Sequence, residues 1–344
     1  MKVFADLHHS DLYYSLYLLF EERLGWELYR PIGMEWFTRG YWKIAEPYGN
    51  KMDTVGQFLD INDQGWDQEE NLNGEHYEEG DVYRVFDPGH DYHHRAITLE
   101  VFKSMDFDVV MPTYEAHDSA YTILRNKYQP QAKLIAQMGN TGQLTDLPNV
   151  LHTVPYIPKP GQNAIYYHQE IDPDHYKYVP PNPSTKNIFS MVNCLPYEEI
   201  FYAYKDALPE VDMRAYGADC PDGALFGSAG VSAMMRKANI GWHLKPQDGF
   251  GHTAMGWFAS GRPVVTYMSD VVGFGGEAPD LFESGVTCLD LQAHSFGENC
   301  HLIREMLYPP NNLEWSERVL KRFREIINYD EEADNIKQFL EEIL

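Results

Sequence analysis

The second half of this chain alternates short apolar runs with stretches of helical spacing. Strands are expected over residues 187–193, 212–216, 240–244, 263–267 and 286–291. Helices are expected at 197–208, 228–238, 251–260 and 301–307. Strands exchanging with helices at this spacing predict a parallel, doubly wound sheet. Two charged amphipathic helices, 313–327 and 331–344, follow it.

The first half also reads as mixed α/β. A strand over 2–7 leads to a helix over 11–24, which Gly25 stops. Residues 60–91 are acidic and rich in Asn, Gly and Glu, which predicts an exposed insertion. Helices are expected at 96–105 and 119–127, and strands at 107–112, 132–137 and 149–154. From 155 to 183 prolines cluster and the periodicity breaks, as in an inter-domain linker. The expected organisation is an N-terminal Rossmann-like domain over 1–160, a linker over 161–184, a second Rossmann-like domain over 185–310, and C-terminal helices over 311–344 packing back towards the first domain.

Composition narrows the partners. The 344 residues suffice for two domains, and 44% hydrophobic content supplies two cores. The net charge of −25 lacks the basic footprint of a nucleic-acid binder, while leaving room for a local basic groove. Runs such as 16–20 are too short to cross a bilayer, and no leader-like stretch precedes Asp11. A cytoplasmic location without integral membrane association is expected. The four cysteines form no CxxC pair, which argues against a disulfide framework or zinc ribbon.

The chemistry-bearing stretch is KPQDGFGHTAMGWFASGRPVVTY, residues 245–267. A strand ends near Leu244, glycines turn the chain into a helix, and the helix ends at Gly261 before the next strand. Ligands of open α/β sheets bind beyond the carboxyl ends of the strands. A helix start there offers unpaired N–H groups and positive partial charge. Gly249 and Gly251 let the backbone approach a phosphate closely. Asp248 can accept from sugar hydroxyls, and Lys245 can neutralise phosphate.

Asp-Gly-Phe-Gly, a helix, and then Ala-Ser-Gly-Arg-Pro-Val-Val resemble the donor-site signature of family 4-like GT-B glycosyltransferases. The block from Gly275 to Leu291 is similar to the family's next motif. The resemblance implies two Rossmann-like domains facing across a cleft. It also implies a hexosyl- or pentosyltransferase that moves a sugar from a nucleotide-diphosphate donor to an acceptor hydroxyl, with retention of configuration. The donor-binding candidates are Asp248, Gly249, Phe250, Gly251 and His252 of the 245–267 stretch, with Lys245 and Arg236 as the nearest basic candidates for the diphosphate. No cofactor beyond the nucleotide-sugar co-substrate is implied, and no catalytic metal. The sequence departs from the family where its second Glu would stand, eight positions after the first acid: here that residue is Gly256. Asp248 replaces the family's first Glu, and no basic residue follows the first strand of the second domain.

Candidate groups in the first half are histidines at strand ends. His8, His9 and Asp11 follow the first strand, and His117 and Asp118 follow another. These positions suit an acceptor site, with His117, His9 and Asp248 as the catalytic candidates and imidazoles able to transfer a proton near neutral pH. The alternative is hydrogen-bonded structural histidines. His90, His93 and His94, beside Asp87 and Asp91, have spacing compatible with metal ligation, but a polar helix N-terminus without metal is favoured. The acceptor is a small molecule, a glycan or another hydroxyl compound. Two other functions stay open: a GT-B protein that has lost catalysis and binds a sugar or partner, and a glycosyltransferase acting on hydroxymethylated DNA bases. Sugar-nucleotide epimerisation is a further option on the same fold.

Overall fold

The computed structural model describes residues 1–5, 10–31, 76–112, 124–139, 145–246, 251–273 and 278–344. They belong to two compact units. One comprises Met1–His152, Tyr156–Glu170 and Tyr329–Leu344; the other comprises Thr153–Pro155 and Ile171–Asn328.

The first unit holds a seven-stranded sheet. Its strands are β1 (Lys2–Ala5), β2 (Glu27–Pro31), β3 (His76–Glu79), β4 (Val82–Asp87), β5 (Tyr92–Ile97), β6 (Val109–Met111) and β7 (Lys133–Leu134). They lie in the order β3-β4-β5-β2-β1-β6-β7, with β4 antiparallel to both of its neighbours, β3 and β5, and the remaining pairs parallel. Phe4, Tyr29, Phe102, Phe107 and Val110 form its core. Helix α1 (Ser10–Tyr17) continues as a π-helical turn over Leu18–Arg23, and left-handed Gly25 lets the chain leave it. A second, parallel sheet has the order β10-β9-β8, from β8 (Ala136–Met138), β9 (Asn149–His152) and β10 (Asn163–Tyr166).

Three expectations are corrected here. Residues 76–91, read as part of an exposed insertion, form β3, β4 and the turn into β5. Ala96 and Ile97, expected in a helix, pair with Arg30 and Pro31, and the helix α2 (Leu99–Ser104) starts only after its cap Thr98. The expected strand over 132–137 is broken at Ile135 and feeds two different sheets.

The second unit follows the expected alternation. Its parallel sheet contains β11 (Asn187–Ser190), β12 (Asp212–Ala215), β13 (Ile240–Trp242), β14 (Val264–Thr266) and β15 (Cys288–Asp290) in the order β12-β11-β13-β14-β15. The helices between them are α3 (Glu198–Ala207), α4 (Gly227–Lys237), α5 (His252–Ala259), α6 (Met268–Gly273) and α7 (Phe296–Leu307). Ile188, Val264 and Val265 are fully buried, as strands covered on both faces must be. On one face Phe201 and Tyr204 of α3 pack edge-on against Trp242. On the other, the indole of Trp257 stands 2.7 Å from where a Cβ on Gly241 would be, so the glycine in β13 lets α5 lie directly on the strand. Trp257 is thus a core residue.

Helix α8 (Asn311–Ile326) packs on α5, with the Ser316 hydroxyl donating to the Gly261 carbonyl at 2.6 Å. Helix α9 (Tyr329–Ile343) belongs to the first unit. Polar contacts hold it there: Arg23 pairs with Glu170 at 2.6 Å and also with Asp330, and His168 bonds Glu332 at 2.7 Å. All four cysteines are free. No described helix is long and apolar enough to cross a membrane.

Candidate active site

In the second unit the chain passes from β11 to β12 on one side and then to β13 on the other. The strand order reverses there, which opens a crevice at the carboxyl ends of β11 and β13, the usual ligand position of such sheets. The loop leaving β13 contains Lys245 and leads to Gly251, the stretch expected to hold the donor.

Gly251 is the N-cap of α5, left-handed at φ 58°, so glycine fits where another residue would be strained. Among the described residues no side chain caps the helix, and its first turn holds no acid. Its first amides therefore keep donor capacity and positive partial charge. His252 opens the helix, half-buried and edge-on to Tyr176 at 5.7 Å. Lys245 is half-buried one short loop upstream. Asp248, Gly249 and Phe250 lie outside the described residues, as do His8, His9, His117 and Asp118.

Gly256 has a packing reason. A Cβ there would come within 2.7 Å of Tyr176 Cε1 and 2.9 Å of Met235 Sδ. The place where the family resemblance leads one to expect a carboxylate is filled by an aromatic ring. Arg236, expected at the diphosphate, donates instead to the His175 carbonyl. Its neighbour in space, Arg262, is fully buried and donates to the carbonyls of Val179 (2.7 Å), Arg236 (2.9 Å) and Ser260 (3.0 Å). Burial lowers the Arg262 guanidinium to about 10. These two arginines tie residues 175–179 to the ends of α4 and α5.

A signal absent from the sequence reading is the backbone after β11. Cys194, Leu195 and Tyr197 all have positive φ, at 66°, 38° and 57°. Such conformations cost about 1–3 kcal/mol each and cluster at ligand sites. Tyr197 packs edge-on to Tyr267, and burial together with the nearby Asp270 carboxylate raises its pKa. None of these residues carries a left-handed preference that sequence could reveal.

In the first unit, Asp11 meets His90 Nε2 at 2.8 Å, and Asp87 meets His90 Nδ1 at 3.2 Å. Burial opposes the imidazolium, but the bonds to the two carboxylates prevail and raise His90 to about 9. His93 and His94, successive on β5, point to opposite faces, one exposed and one buried. Among the described residues, no group of three or more His, Cys, Asp or Glu side chains is arranged to hold a metal.

No sequence-family model and no curated protein matches this chain. Solved structures do. A glycosyltransferase from Rickettsia africae aligns with a TM-score of 0.62 at 9% identity, covering 99% of this chain and 98% of the other. Sucrose-phosphate synthase from Thermosynechococcus elongatus aligns at 0.62 with 12% identity, covering 99% and 98%. Anabaena HepE, crystallised in complex with UDP, aligns at 0.58 with 10% identity and 99% of both chains. Aligned over its whole length with such structures, the chain has the GT-B fold of glycosyltransferases.

Proposed function

We propose that this protein is a family 4-like GT-B glycosyltransferase that moves a hexosyl or pentosyl group from a nucleotide-diphosphate sugar to an acceptor hydroxyl, with retention. The observation that carries the reading is the left-handed glycine start of α5 at the sheet's switch point, on a fold shared at full length with glycosyltransferases. Lys245 and the backbone of residues 249–251 neutralise the departing diphosphate, where stabilising developing charge contributes most to rate. Asp248 accepts from sugar hydroxyls, and Phe250 and His252 line the donor. Arg236 acts by holding the 175–179 segment. His8, His9, Asp11, His117 and Asp118 serve the acceptor from the first unit. HepE's complex with UDP makes uridine the first nucleotide to test. A cytoplasmic location and independence from any cofactor complete the proposal.

The test is sugar transfer and donor hydrolysis across UDP-, GDP- and ADP-sugars, with and without EDTA. Activity is expected to survive EDTA. Lys245→Ala and Asp248→Ala are each expected to lower kcat by about 100-fold, the size of losing one transition-state donor. Unchanged turnover in both variants sinks the site assignment. Gly256 favours a second reading, a GT-B protein that binds a sugar or partner without catalysis. Calorimetry decides: a chain that binds none of the nucleotides supports that second reading.

A further inference from the structure

The loops that leave β11 and β12 are fastened to each other, and a thiol sits on each side of the seam. The Ala218 amide donates to Asn193 Oδ1 at 3.1 Å. The Cys220 thiol donates to the Val192 carbonyl at 3.4 Å. The Cys194 thiol donates to Asp219 Oδ2 at 3.2 Å. Each cysteine thus reaches across to the chain segment of the other. Gly217 permits the approach, since a Cβ there would lie 2.9 Å from Asn193 Cα and 2.9 Å from Cys220 Sγ.

The two thiols differ in exposure. Cys194 is exposed, whereas Cys220, Cys288 and Cys300 are buried. The backbone of Cys194 is left-handed at φ 66°, a conformation that a residue other than glycine keeps only where its surroundings impose it. An exposed thiol can meet a reagent from solution, and a buried one is inert towards it. Burial raises the pKa of Cys220, and the amides of Leu195 and Cys194 offset part of that rise. Successive amides of this kind form a concavity suited to an anion, here the Cys220 thiolate. Cys194 is held protonated by its bond to the Asp219 carboxylate, which raises its pKa. Cys288 offers no comparable pair: it lies against Met268 Sδ at 3.6 Å, and burial pushes its thiol up to about 12.

We propose that Cys194 and Cys220 are a reversible redox pair, in which a disulfide oxidant from solution engages Cys194 and Cys220 resolves the adduct into an internal disulfide that locks the loop after β11 to the loop after β12. The Cys194 thiolate attacks one sulfur of the oxidant and its S–S bond breaks. The first small thiol leaves with the proton that Cys194 gave up. The Cys220 thiolate then attacks the Cys194 sulfur, and the second small thiol leaves with the proton of Cys220. Two protein thiols are oxidised, and one disulfide is reduced to two thiols. Only the first step needs access from solvent, so the burial of Cys220 is no obstacle. A rotation about χ1 of the exposed Cys194 takes its sulfur off Asp219 and towards Cys220. In a reducing compartment such bonds are transient and serve as sensors. The pair does not depend on what the crevice binds.

Oxidised glutathione added to the folded chain tests this, read by thiol titration in denaturant and by peptide mapping without reductant. Free thiols are expected to fall from four to two with the Cys194 and Cys220 peptides joined, and dithiothreitol to restore all four. Cys220→Ser is expected to stop at one glutathione on Cys194, and Cys194→Ser to form no bridge. Hydrogen exchange over residues 191–197 is expected to slow at least about threefold in the oxidised parent. A parent that keeps four free thiols, that retains glutathione on Cys194, or that bridges any other pair or two chains overturns the proposal. So does a Cys194–Cys220 bridge that leaves exchange in this loop unchanged.

Discussion

Replacing Gly256 by Glu recreates the acid that the family resemblance leads one to expect. If the glycine were a lost ribose contact, the change would tighten donor binding. The structure gives the opposite result. In a helix interior, Gly→Ala ordinarily gains about 1 kcal/mol. Here the new Cβ meets Tyr176 Cε1 at 2.7 Å, Met235 Sδ at 2.9 Å and Tyr176 Cδ1 at 3.0 Å. Tyr176 is itself buried, so its ring has little room to move, although the Met235 thioether can shift. Overpacking of this kind costs about 1–3 kcal/mol, so Gly256→Ala should come out destabilising by about 1 kcal/mol.

Gly256→Glu adds a carboxylate pressed against an aromatic ring, and the net loss should reach about 2–4 kcal/mol. Urea midpoints at constant m-value measure both changes. Tyr176→Leu should lower the penalty of Gly256→Ala, and the double-mutant cycle should show a coupling of about 1 kcal/mol. A Gly256→Glu protein as stable as the parent, with tighter nucleotide binding, refutes the reasoning and places position 256 on the ligand side.

Other outcomes follow from the same geometry. His90 is raised to about 9 from an ordinary 6.5, so its contribution, about 3 kcal/mol, is complete below pH 6.5 and fades as pH climbs through 9. Urea midpoints between pH 6 and 9.5 should fall for the parent, and His90→Gln should flatten that slope. Arg262→Met should cost about 2–4 kcal/mol, because three well-bonded carbonyls lose their donor, and equal stability would show that the buried charge cancels its own bonds. Glu332→Gln weakens the bonds from His168, and hydrogen exchange in α9 should quicken about tenfold.

Sequence made the second unit legible and the first only partly so, for physical reasons. Strands buried on both faces and helices with one apolar stripe write themselves into hydrophobic spacing, so β11–β15 and the helices α3, α4 and α5 fall within a few residues of expectation, whereas α7 starts five residues early and the six-residue α6 was not foreseen. The strand β3 has no buried residue: all of His76–Glu79 is exposed, and its backbone pairs with β4. No hydrophobic pattern could announce it. In the proposed site, Lys245, Gly251 and His252 could be nominated from sequence because glycine and charge at a strand–helix junction carry a direct meaning. Tyr176 was not, because its place over Gly256 depends on a proline-rich segment without periodicity. The left-handed Cys194, Leu195 and Tyr197 were invisible for a different reason, since tertiary packing imposes a conformation these residues do not favour.

The arrangement behind α5 bears on how such a site can work. On the proposed reading the start of this helix meets the ligand with fixed dipoles, and preorganised donors are effective only if they do not move when charge develops. The helix is clamped from behind at successive levels. Trp257 sinks onto Gly241, Tyr176 covers Gly256, and Tyr178 and Ser316 close on left-handed Gly261. At its far end the buried Arg262 gathers carbonyls from three segments. Each contact uses a glycine or a buried cation where an ordinary apolar pair would have sufficed for stability alone. Loosening the rear of the helix should therefore lower kcat before it lowers nucleotide affinity. Tyr178→Ala, remote from the helix start, separates the two: a lowered urea midpoint with kcat and nucleotide affinity both unchanged would show that this clamp serves stability only.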